Sequence, residues 1–141
     1  MTTLARVDYA GLTRQIKVLA NRSELLHILE DSGPFDGQCL VCAMAFQRIF
    51  NGTLYGCYTG GDDEHWEHSV VRVEDYYLDF DGFSTRNELF NRWRHAENCV
   101  FTHVRPTPYR EIQQLFDYSP AKVDGVTWFL RKELRRIEEP T

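Results

Sequence analysis

The sequence predicts an α+β domain. Helical periodicity near both ends, strand-like alternation between them, and one compact hairpin signature in the middle carry that expectation. The 141 residues are 43% hydrophobic and 13% aromatic. That is enough to bury one core without disulfide or metal support, and too apolar for a disordered chain. No internal repeat, low-complexity stretch or linker divides the sequence, so residues 1–141 are read as a single domain.

Taken in order, "LTRQIKVLA" (12–20) is ambiguous. Its "IKV" alternates like a strand, while Leu12, Ile16 and Leu19 suit a helix. Ser23 is the expected N-cap of a helix "ELLHILED" that stops before Gly33-Pro34. A loop, "GPFDGQ", leads into an apolar helix over Gln38 to Phe50, ended by Asn51-Gly52. "TLYGCYT" reads as a strand and "GGDDEHW" as an exposed loop. "HSVVRVEDYYLDFDGF" reads as a hairpin turning at Glu74-Asp75. "STRNELFNRWRHAE" is a helix capped by Ser84 or Thr85, and with Thr85 as cap Glu88 completes a capping box. "CVFTHV" is the last predicted strand. "TPYREIQQLF" and "DGVTWFLRKELRRI" close the chain as amphipathic helices.

Composition removes several classes of function. The net charge of −5 and scattered basic residues, clustered only in "LRKELRRI", give no nucleic-acid footprint. There is no run of eighteen apolar residues of the kind that crosses a bilayer. "MTTLARVDYAG" carries charge early and lacks a signal-peptide core, so a cytoplasmic protein is expected. Four cysteines are too sparse for a disulfide scaffold, and reduced thiols follow. No cofactor is implied.

The hairpin fixes relative positions most tightly. A two-residue turn at 74–75 sets 73 opposite 76, 72 opposite 77, 70 opposite 79 and 68 opposite 81, and opposed residues share a face. One face then carries Val71, Val73, Tyr76, Leu78 and Phe80. The other carries His68, Val70, Arg72, Tyr77, Asp79 and Asp81. Directly opposed side chains lie about 5 Å apart at Cβ and diagonal ones about 7–8 Å, so both Asp79 and Asp81 are within reach of His68. A slip of one residue would dissolve the arrangement.

"FDGQCLVCAMAFQRIFNG" (35–52) sets a thiol where a loop becomes a buried helix. A helix start offers unpaired N–H groups and the positive end of the dipole, and both stabilise an anion. A thiol so placed, beside an imidazolium, can ionise well below the ordinary cysteine range. The same N–H groups can hold the oxyanion of a tetrahedral intermediate. Cys39 has the position of a nucleophile, His68 the chemistry of a base, and Asp79 or Asp81 the reach to orient it.

The order "GQCLVCAMAFQ", then His68 on a strand, then "YYLDFDG" on the next, resembles the papain-like and transglutaminase-like cysteine enzymes, including short bacterial proteins of that superfamily. The resemblance spans roughly residues 33–83. It implies a nucleophile helix packed on an antiparallel sheet with flanking helices, and a thiol-dependent hydrolase or acyltransferase of peptidase, amidase or deamidase type. The implied roles fall on Cys39 as nucleophile, His68 as base and Asp79 as orienting acid. Hairpin spacing alone would favour Asp81 for the last role. The papain-type oxyanion glutamine would fall near Gly33, where none stands. Gln38, directly before Cys39, is not an equivalent position; it is carried with Tyr77 as an oxyanion or substrate candidate. The implied partner is a peptide, a protein or a small amide or ester.

Three rival readings stand beside this one. Cys39, Cys42, His65 and His68 offer four zinc ligands, although Leu40 and Val41 belong to a buried helix and not to the tight turn of a structural zinc site. A CxxC at a helix start also suits a redox pair, but no βαβ unit precedes it. A binding module on the same fold, without chemistry, is the third. Cys42, Cys57 and Cys99 read as packing residues, and Cys42 as inert.

Overall fold

The computed structural model describes residues 7–31, 33–34, 38–61, 64–107, 112 and 119–138. Within them the chain is α+β, with α1 (Tyr9–Leu19), α2 (Ser23–Ile28), α3 (Cys39–Phe50), α4 (Arg86–Glu97) and α5 (Pro120–Glu138). The strands are β1 (Thr53–Thr59), β2 (His65–Val73), β3 (Tyr76–Asp79), β4 (Gly82–Ser84) and β5 (His103–Pro106). They form one sheet in the order β4-β3-β2-β1-β5 with every pairing antiparallel.

Helical spacing decides the first segment. Leu12, Ile16 and Leu19 are buried along one side of α1, and Asp8 caps it by accepting from the Gly11 N–H at 2.9 Å. The next helix is shorter than the sequence suggests. Arg22, not Ser23, is the N-cap, and Glu30 and Asp31 take positive φ of 57° and 68° just beyond the helix. Helix α3 runs over almost the predicted span. It ends on Asn51 in the left-handed region at φ 53°, its N–H returning to the Gln47 carbonyl. At Gly52 a Cβ would meet the Arg72 carbonyl oxygen at 2.4 Å, so the chain passes too close to β2 for any side chain.

The hairpin keeps the expected register, with Val73 opposite Tyr76, Arg72 opposite Tyr77 and Val71 opposite Leu78. Two strand ends differ from expectation. β2 begins at His65, inside the segment predicted as loop, and runs through a bulge. Cys57 pairs with His68 and Tyr58 with Trp66, leaving Glu67 as the extra residue. The partner strand stops at Asp79, and the chain turns through Phe80-Asp81 into β4, a separate strand in which Gly82 faces Asp79. The single long strand through Phe83 is therefore two short ones. The cause is local: Gly82 sits at φ +94°, and its position pressed against Thr13 leaves no room for a Cβ.

Helix α4 opens with the capping box, Thr85 and Glu88 exchanging hydrogen bonds. The last strand starts at His103 rather than Cys99. Asn98 caps α4 at φ 50°, the Cys99 N–H returns to the Trp93 carbonyl, and Phe101 turns into the interior before pairing with β1 begins. Apart from Thr107 and Ile112, the predicted helix "TPYREIQQLF" lies outside the described residues.

Both faces of the sheet are covered. The larger core joins Leu12, Ile16, Leu25, Phe46, Val71, Leu78, Phe80, Phe129 and Leu130 beneath α1, α2, α3 and α5. A smaller core of Cys57, Val70, Tyr77, Leu89 and Phe101 lies on the α4 side. That second layer buries polar positions of the hairpin, leaving His68 2% and Asp79 5% exposed.

Removing the Thr85 hydroxyl should cost about 1 kcal/mol, the usual loss for an N-cap. Gly82→Ala should cost about 2 kcal/mol or more, because it adds a side chain at positive φ and drives its Cβ to 2.3 Å from Thr13 Cγ2. Urea denaturation of both variants checks the ranking, and a Gly82→Ala protein as stable as Thr85→Ala would contradict the close packing described for β4.

Candidate active site

Three elements converge on His68. β2 carries the imidazole, and the bulge one residue earlier re-aims the strand there. The Trp66 indole N–H donates to the His68 carbonyl at 3.0 Å, tying the backbone across that bulge. From β3, Asp79 Oδ2 lies 2.8 Å from His68 Nε2. Cys39, in the first turn of α3, lies close enough for its thiol to help raise the His68 pKa.

Asp79 is held on several sides. Its Oδ1 accepts the Asp81 N–H at 2.8 Å. Arg92 Nη2, from α4, approaches both carboxylate oxygens at 3.2 and 3.3 Å. The same guanidinium binds Ser84 Oγ at 2.6 Å and places Nε 2.9 Å from Asp81 Oδ2. Asp81 is therefore the partner of Arg92, and it is Asp79 that bonds the imidazole. The direct pairing of 68 with 81 expected from the hairpin does not form, because the chain has already turned at Phe80-Asp81. Trp93 lies over the imidazole with ring centroids 4.3 Å apart and packs in turn on Phe101 at 5.4 Å.

The charges follow from this geometry. Burial pulls the His68 pKa down, but the hydrogen bonds and negative charge of Asp79 and Cys39 outweigh it and raise it to about 9. Burial pushes the Asp79 carboxyl up, yet the His68 hydrogen bond and the charges of His68 and Arg92 bring it below the ordinary range. For Asp81 burial and the neighbouring Asp79 charge prevail, and its pKa is raised.

Cys39 is the first residue of α3 and is half-buried. The first intrahelical bond runs from the Cys42 N–H to the Gln38 carbonyl at 3.0 Å. The N–H groups of Cys39, Leu40 and Val41 precede it, and no Gln38 side-chain bond caps them. Gln38 thus stands at the helix N-cap, next to the thiol. Tyr77 is placed otherwise: its ring packs in the smaller core, edge-on to Tyr55 at 5.7 Å and beneath Arg72.

Among the other thiols, burial pushes Cys42 well above the usual range, with the Cys39 charge adding to it, and raises Cys57 and Cys99 as well. The four candidate zinc ligands do not assemble. Among the described residues no group of three or more His, Cys, Asp or Glu is arranged to hold a metal, and His65 is exposed.

Arg92 and Trp93 escaped the sequence reading. A signal existed: they stand three and four residues after Leu89, the buried residue of α4, so they share its inward stripe.

Compared with known proteins, the chain matches no family model, none of the curated sequences and none of the solved structures. Among the described residues no helix is long and apolar enough to cross a membrane.

The raised His68 pKa has a consequence for stability. The folded protein holds this proton more tightly than the unfolded chain, whose imidazole titrates near 6.5. Between pH 6.5 and about 9 the folded state therefore binds more protons. The stabilisation is complete below the unfolded value and is lost as pH rises through the folded one. Wild type should lose on the order of a few kcal/mol across this window, and His68→Gln distinctly less. Urea titrations at the two ends of the window measure it; equal losses would contradict the assigned charge state.

Proposed function

We propose that the protein is a thiol-dependent hydrolase or acyltransferase with a papain-like or transglutaminase-like core, using Cys39, His68 and Asp79. The observation that carries the reading is a helix-start thiol placed beside a buried imidazole that is itself hydrogen-bonded to a buried carboxylate.

In this mechanism Cys39 Sγ attacks the carbonyl carbon of an amide, ester or thioester. It attacks as the thiolate paired with the His68 imidazolium, which with a pKa of about 9 keeps its proton until the leaving group needs it. Asp79 fixes the ring through Nε2 and stabilises the imidazolium. Arg92 keeps Asp79 ionised and in place, so it is a positioning residue. The Cys39 N–H, at the positive end of α3, donates to the oxyanion. Trp93 keeps water off the imidazole–carboxylate bond. A water molecule or an acceptor amine or hydroxyl then attacks the acyl-thioester, His68 removes its proton, and Cys39 leaves. Peptides, proteins and small amides or esters all suit this chemistry. A cytoplasmic site of action, where thiols stay reduced, belongs to the same reading.

Two measurements test it. Iodoacetamide near pH 6 should modify Cys39 much faster than Cys42, Cys57 or Cys99, because the last three are buried or have raised thiol pKa values. Uniformly slow modification of all four would defeat the proposal. An acyl or vinyl electrophile that reports nucleophilic cysteines should label Cys39 and fail on Cys39→Ala. His68→Ala should cut the labelling rate by about 10²–10⁴-fold. Asp79→Asn should damage it more than Asp81→Asn, since Asp79 alone of the two bonds the ring. Damage confined to Asp81→Asn would reverse the assignment.

A further inference from the structure

The mechanism leaves Cys42 unused, although it lies one turn from the nucleophile. In an α-helix residues i and i+3 share a face, and their Cα atoms lie about 5 Å apart. A disulfide requires Cα atoms about 4.4–6.8 Å apart. Cys39 and Cys42 fall on that spacing in the first turn of α3, where the fewest helical bonds resist adjustment. The two sulfurs also differ in exposure. Cys39 is half-buried, whereas Cys42 is 4% exposed and packed in the main core. Cys42 is also close enough to Cys39 to feel its charge directly.

We propose that Cys39 and Cys42 are a peroxide-responsive pair that closes to a disulfide and reopens on reduction by a dithiol. The effect on activity rests on the thiol-enzyme reading above; formation of the bond does not.

The chemistry is a two-electron oxidation in two steps. The Cys39 sulfur attacks one oxygen of hydrogen peroxide, the O–O bond breaks, and hydroxide leaves and is protonated to water. Cys39 is then a sulfenic acid. The Cys42 sulfur attacks it, an S–S bond forms, the S–O bond breaks, and the departing hydroxide takes the Cys42 thiol proton as a second water. Two thiols and one peroxide give one disulfide and two waters. A dithiol reverses this by two exchanges and is itself oxidised. Closure converts the nucleophile into an inert sulfur. It also stops the sulfenic acid from advancing to the irreversible sulfinic and sulfonic acids.

Cys57 is the competing partner, because it pairs with His68 across the sheet and also feels the Cys39 charge. Tryptic cleavage separates the two outcomes. Cys39 and Cys42 fall in one peptide, residues 23–48, and Cys57 falls in the next, residues 49–72.

The test treats intact wild-type protein with hydrogen peroxide, alkylates the remaining thiols, digests with trypsin and reads peptide masses. The expected product is the 23–48 peptide two hydrogens lighter and unalkylated, returning to its original mass after dithiothreitol. Labelling of Cys39 by an acyl electrophile should fall about tenfold on oxidation and recover with the reductant. In Cys42→Ala the same treatment should drive Cys39 to the sulfinic acid, with no recovery. A wild-type 23–48 peptide that goes straight to sulfinic acid, or one cross-linked to 49–72, overturns the proposal whether or not the variant folds. Electrophile labelling of untreated Cys39 without disulfide formation overturns the redox pair and leaves the enzyme reading standing. A disulfide in protein that no acyl electrophile labels supports the pair and removes the enzyme reading.

Discussion

A buried aspartate, Asp79, only 5% exposed, is the constraint around which this sheet is arranged. Removing Asp79 from solvent costs several kcal/mol unless its oxygens are matched by donors and positive charge. The chain supplies them from three directions: the His68 ring from β2, the Arg92 guanidinium from α4 and the Asp81 N–H from the turn that follows. Each donor also fixes an element. The bond to Asp81 ends β3, the bond to Arg92 seats α4 on the sheet, and the bond to His68 links β2 to β3 beyond the last paired residues of the hairpin. Losing one partner would leave charge buried without compensation, so the cluster holds the α4 side together as a unit.

The same cluster explains why the smaller core can be small. Five buried apolar residues, Cys57, Val70, Tyr77, Leu89 and Phe101, offer limited apolar area to hold a helix. Arg92 adds bonds to Ser84 and Asp79 and an ion pair to Asp81, while Trp93 bridges the imidazole and Phe101. The polar anchor and the aromatic cover come from neighbouring residues on one helix face. Packing and electrostatics thus reinforce each other at the site.

Much of this was legible in the residues because it depends on short-range rules. Alternation and turn length fixed the hairpin register, the spacing of Leu12, Ile16 and Leu19 matched the buried side of α1, and Thr85 with Glu88 declared the start of α4. The thiol at a helix start and the histidine on the hairpin were visible for the same reason. What escaped the reading depends on tertiary contact. Extending the hairpin to residue 81 put Asp81 opposite His68, because nothing in "YLDFDGF" shows that Gly82 will be pressed against Thr13 and will turn the chain. The start of the last strand moved from Cys99 to His103 because Phe101 is drawn into a core that the local sequence does not reveal. Arg92 and Trp93 were not singled out, because only the burial of Leu89 marks their side of α4 as inward.

The bulge before His68 ties these local and tertiary effects together. In an unbroken ladder the residues preceding His68 would continue in register with β1. Inserting Glu67 breaks the ladder there, and the Trp66 indole spans the break by bonding the His68 carbonyl. A bulge increases local twist and bends the strand, so the strand is re-aimed just where the imidazole leaves it. That gives a physical reason for one ring to bond an aspartate of the adjoining strand through Nε2 while lying near a thiol at the start of a helix. A regular strand would offer the ring to its cross-strand neighbours alone. The irregularity is thus part of the site's construction: it lets a sheet residue address a helix terminus while the hairpin behind it keeps the register that buries Val71 and Leu78.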